Sequence, residues 1–240
     1  MTVHYKTRGL VFKKEDRQDA DRIFSVFTRD FGRVEIFAKA IRKINSKLKG
    51  GIDIFFLSEL EFIQGKNRKT LTDAVSIEKF KHIAQSPEKT ETAGRVCGLL
   101  DDFIKGPQTD GGIWDLAEEI FTKLNRCAPA GNTFLYYYFF WNFAALLGYK
   151  PELSKCASCG RILHPQHLYF SSKEGGVLCQ GCGLEDSFAK KINADAVKVL
   201  RLILKKEWGI LSKLKISRPS KEIFKTVSDD YYHHLAGTIH

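Results

Sequence analysis

Two cysteine pairs, Cys156-x-x-Cys159 and Cys179-x-x-Cys182, stand 19 residues apart, inside the spacing that lets four thiolates share one zinc ion. A tight turn in each pair can aim both sulfurs at one point, and Gly160 and Gly183 suit the turns that follow. Four thiolates close a tetrahedron and leave no position for water or substrate. The expected Zn²⁺ is therefore structural, one per chain, held by Cys156, Cys159, Cys179 and Cys182. Two disulfides are the competing arrangement, and they require an oxidising compartment. His164 and His167 lie between the pairs, where nothing forces them inward, and read as surface residues. A zinc deaminase would need H-x-E and P-C-x-x-C, and neither pair has a proline before its first cysteine. Cys97 and Cys127 fall in helical patterns and read as small buried hydrophobes.

The second chemistry is phosphate binding. Arg33, Lys39, Arg42, Lys43, Lys47 and Lys49 are six basic residues against Glu35 alone between positions 33 and 49. The whole chain of 240 residues has 38 Lys and Arg against 28 Asp and Glu, a net charge of +10. Residues 1–80 hold 17 basic and 11 acidic side chains, so one third of the chain carries more than half the excess. Such a balance asks for a polyanionic partner: nucleic acid, an anionic membrane surface or an acidic protein tail. A merely solvated face is the bland reading of any charge run. Residues 190–225 hold a further 11 basic and 3 acidic side chains, several of them on the polar sides of amphipathic helices. Tyr5, Phe12 and Phe37 are candidate stacking surfaces for bases. The run Tyr136 to Trp141 is at helical spacing and reads as core.

Catalytic patterns are missing. There is no phosphate-binding G-x-x-x-x-G-K-[ST], no G-x-G-x-x-G, no H-E-x-x-H and no G-x-S-x-G. Asp101-Asp102 and Asp229-Asp230 are adjacent pairs whose side chains diverge by about 100° on a helix, and they read as surface charges. His233 and His234 have no recognisable partner. The chain is expected not to be an enzyme. The charge-free apolar stretch Phe134 to Leu147 is 14 residues, short of the roughly 18 that cross a bilayer. The start, MTVHYKTRGL, lacks the apolar core of a secretory signal, so no membrane association and a cytoplasmic location are expected.

These side chains must be carried by two kinds of element. Up to about residue 80 the period is two: Val34, Ile36 and Ala38 alternate with Glu35, Phe37 and Lys39, and Leu60 and Phe62 alternate with Glu59, Glu61 and Ile63. With Tyr5 to Phe12, Asp21 to Thr28 and Leu71 to Val75 this makes about five strands, with turns at 29–32 and 64–69 and a longer loop at 41–51. That suits a small Greek-key barrel of OB type, while an SH3-like barrel or an open sheet shares the same periodicity. From Pro87 the period becomes helical, with helices expected at Ala93 to Ile104, Ile113 to Leu124, Asn132 to Gly148, Asn193 to Trp208 and Pro219 to Leu235. The third is apolar on nearly all sides and should be the centre of a helical domain. The expected fold is α+β and multidomain. A five-stranded OB-type barrel occupies residues 1–80, an α-helical domain residues 81–240, and a four-cysteine zinc knuckle is inserted at residues 155–183.

Short motifs in this order resemble the bacterial RecO recombination mediators. In the first part they are Gly9-Leu10-Val11, Asp21-Arg22-Ile23, Phe27-Thr28-Arg29-Asp30-Phe31-Gly32-Arg33 and Ala38-Lys39-Ala40-Ile41-Arg42-Lys43. Leu147-Gly148-Tyr149, Phe170-Ser171, Gly175-Gly176-Val177 and the two cysteine pairs follow. The resemblance implies a DNA repair protein that binds single- and double-stranded DNA and anneals complementary strands without nucleotide hydrolysis. It implies RecR, the acidic C-terminal tail of single-stranded DNA-binding protein and, indirectly, the RecA filament as partners, at the nucleoid. The rival expectations are a zinc-containing transcription or translation factor, a nucleic-acid enzyme with a scattered active site, and a scaffold for acidic partners.

Overall fold

The computed structural model describes residues 3–106, 109–127 and 132–239, except for the side chains of 132, 133 and 239. Two compact units divide the chain, Met1–Tyr136 and Tyr137–His240.

In the first unit, strands β1 (His4–Arg17), β2 (Asp21–Thr28), β3 (Gly32–Ala38), β4 (Leu57–Gln64) and β5 (Lys69–Glu78) close a barrel in the order β1-β2-β3-β5-β4. All pairings are antiparallel except β3 with β5, where Ile36 and Phe37 lie beside Lys69 and Thr70. A parallel seam of this kind closes the five-stranded Greek-key barrel of the OB fold. The period of two has its expected result: Val34, Ile36, Ala38, Leu60 and Phe62 fill the interior, joined by Val11, Phe24, Val26 and Leu71. The loop between β3 and β4 carries a short 3-10 helix, Lys47–Gly50.

Helix α1 (Lys81–Ala84) is a single turn, and α2 (Pro87–Phe103) and α3 (Gly111–Arg126) follow it. The α2 start is set by Ser86, whose side chain accepts from the Lys89 amide, with Pro87 in the first turn. Asp110 caps α3, its carboxylate accepting from the amides of Gly112 and Ile113 at 2.7 and 3.1 Å. The apolar stripe of α3 packs on the barrel through Trp114 against Phe27 and Phe121 against Phe55, with ring centres 5.9 Å apart in each pair.

The second unit is built around α4 (Asn132–Leu146), whose residues from Tyr137 to Phe143 are almost fully buried. Trp141 lies in parallel over Tyr231 at 4.9 Å and donates from its indole nitrogen to Ser228 Oγ at 3.0 Å. Asn142 Nδ2 donates to the Ile203 carbonyl at 3.1 Å. A three-stranded sheet of order β7-β6-β8 is formed by β6 (Leu168–Ser171), β7 (Gly176–Leu178) and β8 (Lys190–Ile192). Periodicity gives no sign of it, because strands of three or four residues are too short to show one. The remaining helices are α5 (Gln180–Glu185), α6 (Ala194–Leu204), α7 (Trp208–Leu211) and α8 (Arg218–Ile239). Among the described residues, no helix is long and apolar enough to cross a membrane.

Candidate nucleic-acid interface and metal centre

The four cysteine sulfurs Cys156, Cys159, Cys179 and Cys182 lie within 4.8 Å of one another and could hold a metal ion. Cys159 Sγ and Cys179 Sγ are 3.8 Å apart, which matches the roughly 3.8 Å edge of a tetrahedron drawn around Zn–S bonds of about 2.3 Å. Each pair sits on a one-turn bend closed by its own glycine: the Gly160 amide donates to the Cys156 carbonyl and the Gly183 amide to the Cys179 carbonyl, both at 2.9 Å. The two glycines are needed for different reasons. Gly160 has φ +73°, in the left-handed region. At Gly183 a Cβ would lie 2.4 Å from ring atoms of Tyr169 on β6, so this turn must lack one to seat on the sheet. Cys179 occupies the cap position of α5.

Burial pushes the Cys156 thiol up, but the amides of Cys159, Cys179 and Ser158 aimed at its sulfur outweigh that and hold it at about 6. At Cys182 the Ser158 hydroxyl favours the thiolate, yet the neighbouring sulfurs Cys159, Cys179 and Cys156 push the thiol up to about 12. Four sulfurs this close cannot all ionise on their own, and a divalent cation among them removes the conflict. His164 and His167 are exposed and outside the cluster. Cys97 is buried, and Cys127 is half-buried at the end of α3.

The six basic residues of positions 33–49 do not share one surface. Arg33, Glu35 and Phe37 project from the outer face of β3, with Lys39 just past its end. Arg33 stands where that strand meets α2, its Nε 2.7 Å from Asp101 Oδ1. Asp101, a surface charge on the sequence pattern, is thus half of an ion pair. Arg42 donates to Asp16 Oδ2 at 2.7 Å and to the carbonyls of Gln18 and Asp19, fastening the β1–β2 turn. With Arg22 and Lys49 it lines a small hollow of about 250 Å³. Lys43 and Lys47 are exposed on the loop. Among the described residues, none of Lys39, Lys43, Lys47 and Lys49 has an ion pair.

Lys39 alone of the six lines the larger groove of the barrel, about 690 Å³. One wall is the β1–β2 turn with Arg17, Gln18 and Asp21, and the other is the β4–β5 turn with Gln64, Asn67, Arg68 and Lys69. The floor is Ile23 on β2 with Glu35 and Phe37 on β3. Four cations thus face two carboxylates; Asp21 is engaged by the Ala40 amide at 2.7 Å, and Arg17 also pairs with Glu15 at 2.9 Å. Strands 2 and 3 together with these two turns are the surface that OB folds use for oligonucleotides. Arg17 and the short basic run Lys66-Asn67-Arg68-Lys69 sit in two turns about fifty residues apart, and nothing in the sequence joins them to Lys39. Phe37 is half-buried in the groove. Phe12 is buried, and Tyr5 stacks on Phe62 at 5.5 Å, so both belong to the barrel's packing. In the second unit a hollow of about 440 Å³ places Lys150, Arg201 and Lys205 around Pro151, Leu153 and Leu204, with Glu152 also at its edge.

The chain matches the family model described as Recombination protein O N terminal over residues 1–80 and that described as Recombination protein O C terminal over residues 84–238. It is 34% identical to the DNA repair protein RecO of Dehalococcoides mccartyi over 214 residues, which cover 89% of this chain and 83% of that one. The DNA repair protein RecO of Listeria innocua is 27% identical over 233 residues, covering 97% and 89% of the two chains. The two family models together span nearly the whole chain, and the relatives align over most of their own length: the chain belongs to the RecO family of DNA repair proteins.

Proposed function

We propose that this chain is a recombination mediator. It binds single- and double-stranded DNA on the barrel, anneals complementary strands without nucleotide hydrolysis, and with RecR helps to load RecA onto DNA coated by single-stranded DNA-binding protein. The observation that carries this reading is the groove between the β1–β2 and β4–β5 turns, rimmed by Arg17, Lys39, Arg68 and Lys69. Annealing requires two polyanions to approach one another. Lysine and arginine allow this by neutralising phosphates and releasing counterions, and no bond is made or broken. Lys43, Lys47 and Lys49, exposed on the following loop, add to the cationic surface of the barrel, while Arg33 and Arg42 are engaged by Asp101 and Asp16.

Zn²⁺ fits the four-cysteine cluster as a structural ion, with no open position for chemistry. The acidic tail of the single-stranded DNA-binding protein suits the hollow at Lys150, Arg201 and Lys205, where an apolar floor lies beside three cations. The site of action is the cytoplasm, at the nucleoid.

The test is annealing of complementary strands coated with single-stranded DNA-binding protein, with no ATP present. Faster duplex formation is expected, and a rate equal to that without the protein overturns the reading. Strong preference for one sequence would instead favour a transcription or translation factor.

A further inference from the structure

The guanidinium of Arg68 lies over the ring of Phe37, 3.9 Å from its centroid. Among the described residues, Phe37 is the only aromatic one lining the groove, and Ile23 on β2 and Thr70 on β5 flank it in register. Its ring is thus fixed on two sides by strands, and its outer face is covered by a planar group. That cover is held lightly. Arg68 is exposed and belongs to a four-residue turn closed by one backbone bond, from the Gly65 amide to the Arg68 carbonyl at 2.9 Å. Exposed stacking of a guanidinium on a benzene ring is weak, and a nucleobase on the same ring binds more strongly.

We propose that Phe37 is a stacking site for one unpaired nucleobase, with Arg68 as its placeholder in the free protein. This rests on the groove being the DNA site. When a single strand enters, a base takes the ring and Arg68 swings off it to a backbone phosphate, beside Lys69 and Arg17 on the rim. Bases in a duplex are already stacked on their neighbours and must be extruded to reach Phe37. The contact therefore selects single strands, and it is lost when the bound strand pairs. Annealing then weakens the hold on its own product.

The probe is an oligothymidylate carrying one 2-aminopurine, whose fluorescence falls on stacking, compared with the same strand in duplex form. Phe37→Leu keeps an apolar side chain on the strand. It should weaken single-strand binding roughly 5- to 100-fold, abolish the quench and leave duplex affinity and the salt slope unchanged. Phe37→Tyr should restore both affinity and quench. Arg68→Ala should keep the quench while making the single-strand salt slope shallower by about 0.7 log units per log salt. Unchanged affinity and quench in Phe37→Leu would overturn the site, and so would an equal loss for single strands and duplex. Loss of the quench in Arg68→Ala would overturn the placeholder role. Absence of salt-dependent single-strand binding by the wild-type chain would instead sink the groove as the DNA site.

Discussion

Arg33 Nε lies 2.7 Å from Asp101 Oδ1, tying the outer face of β3 to α2. Arg33 is three-quarters buried at its side chain, and Glu35 Oε1 is 3.7 Å from its other end. Removing the cation leaves two carboxylates near one another, with Lys13 the remaining cation that acts on Asp101. Arg33→Gln should therefore lower stability by roughly 1–3 kcal/mol, between the values for exposed and buried pairs. Chemical denaturation measures this, and DNA affinity at a temperature where the variant is folded should stay within twofold of wild type. A large loss of affinity with unchanged stability would return Arg33 to the DNA surface.

Lys39 and Arg42 stand three positions apart and should behave in opposite ways. Lys39 is exposed at the groove. Lys39→Gln is expected to leave the melting temperature unchanged and make the single-strand salt slope shallower by about 0.7 log units per log salt. Arg42→Gln removes the clamp on Asp16, Gln18 and Asp19. It should cost roughly 1 kcal/mol of stability, with a slope change smaller than that of Lys39→Gln.

Arg22 and then Arg42, through their hydrogen bonds, hold the Asp16 carboxyl below its ordinary value. A depressed carboxylate contributes stability that is present above the unfolded-state value, about 3.9, and is lost as pH falls through the lower folded-state value. The difference in melting temperature between wild type and Asp16→Asn should thus be constant near neutrality and shrink below about pH 4. A difference that persists unchanged at pH 2 would show that the carboxylate charge is not what holds the turn.

For the metal centre, Cys179→Ser should lower bound zinc below one per chain and loosen the module, read by metal analysis and by proteolysis between 155 and 183. Gly160→Ala places a side chain at φ +73° and should cost about 1–2 kcal/mol. Gly183→Ala forces a Cβ into the Tyr169 ring and should shift β6 as well as lower zinc affinity. Full zinc retention in Cys179→Ser would refute a site made of four thiolates.

Several of these relationships were legible in the residues alone, because they are local. Two cysteines separated by two residues meet through one turn, alternation over seven residues defines the inner face of β3, and the all-round apolar run of α4 demands burial. The cation set was not legible in the same way. Charge on exposed side chains has no period, and six basic residues close in sequence go to different places: Arg33 to Asp101, Arg42 to Asp16, Lys39 to the groove. Arg17 comes beside Lys39 through the pairing of β1 with β2 and of β2 with β3, whereas Arg68 and Lys69 join them because the parallel seam of β3 with β5 closes the barrel and brings the β4–β5 turn beside β3. By itself the sequence determined the strands of the barrel, the longer helices and which four cysteines could share a metal ion, which depend on spacing along the chain. Tertiary structure decided which charges are consumed in ion pairs and which face solvent together, since that depends on distances set by barrel closure between residues far apart in sequence.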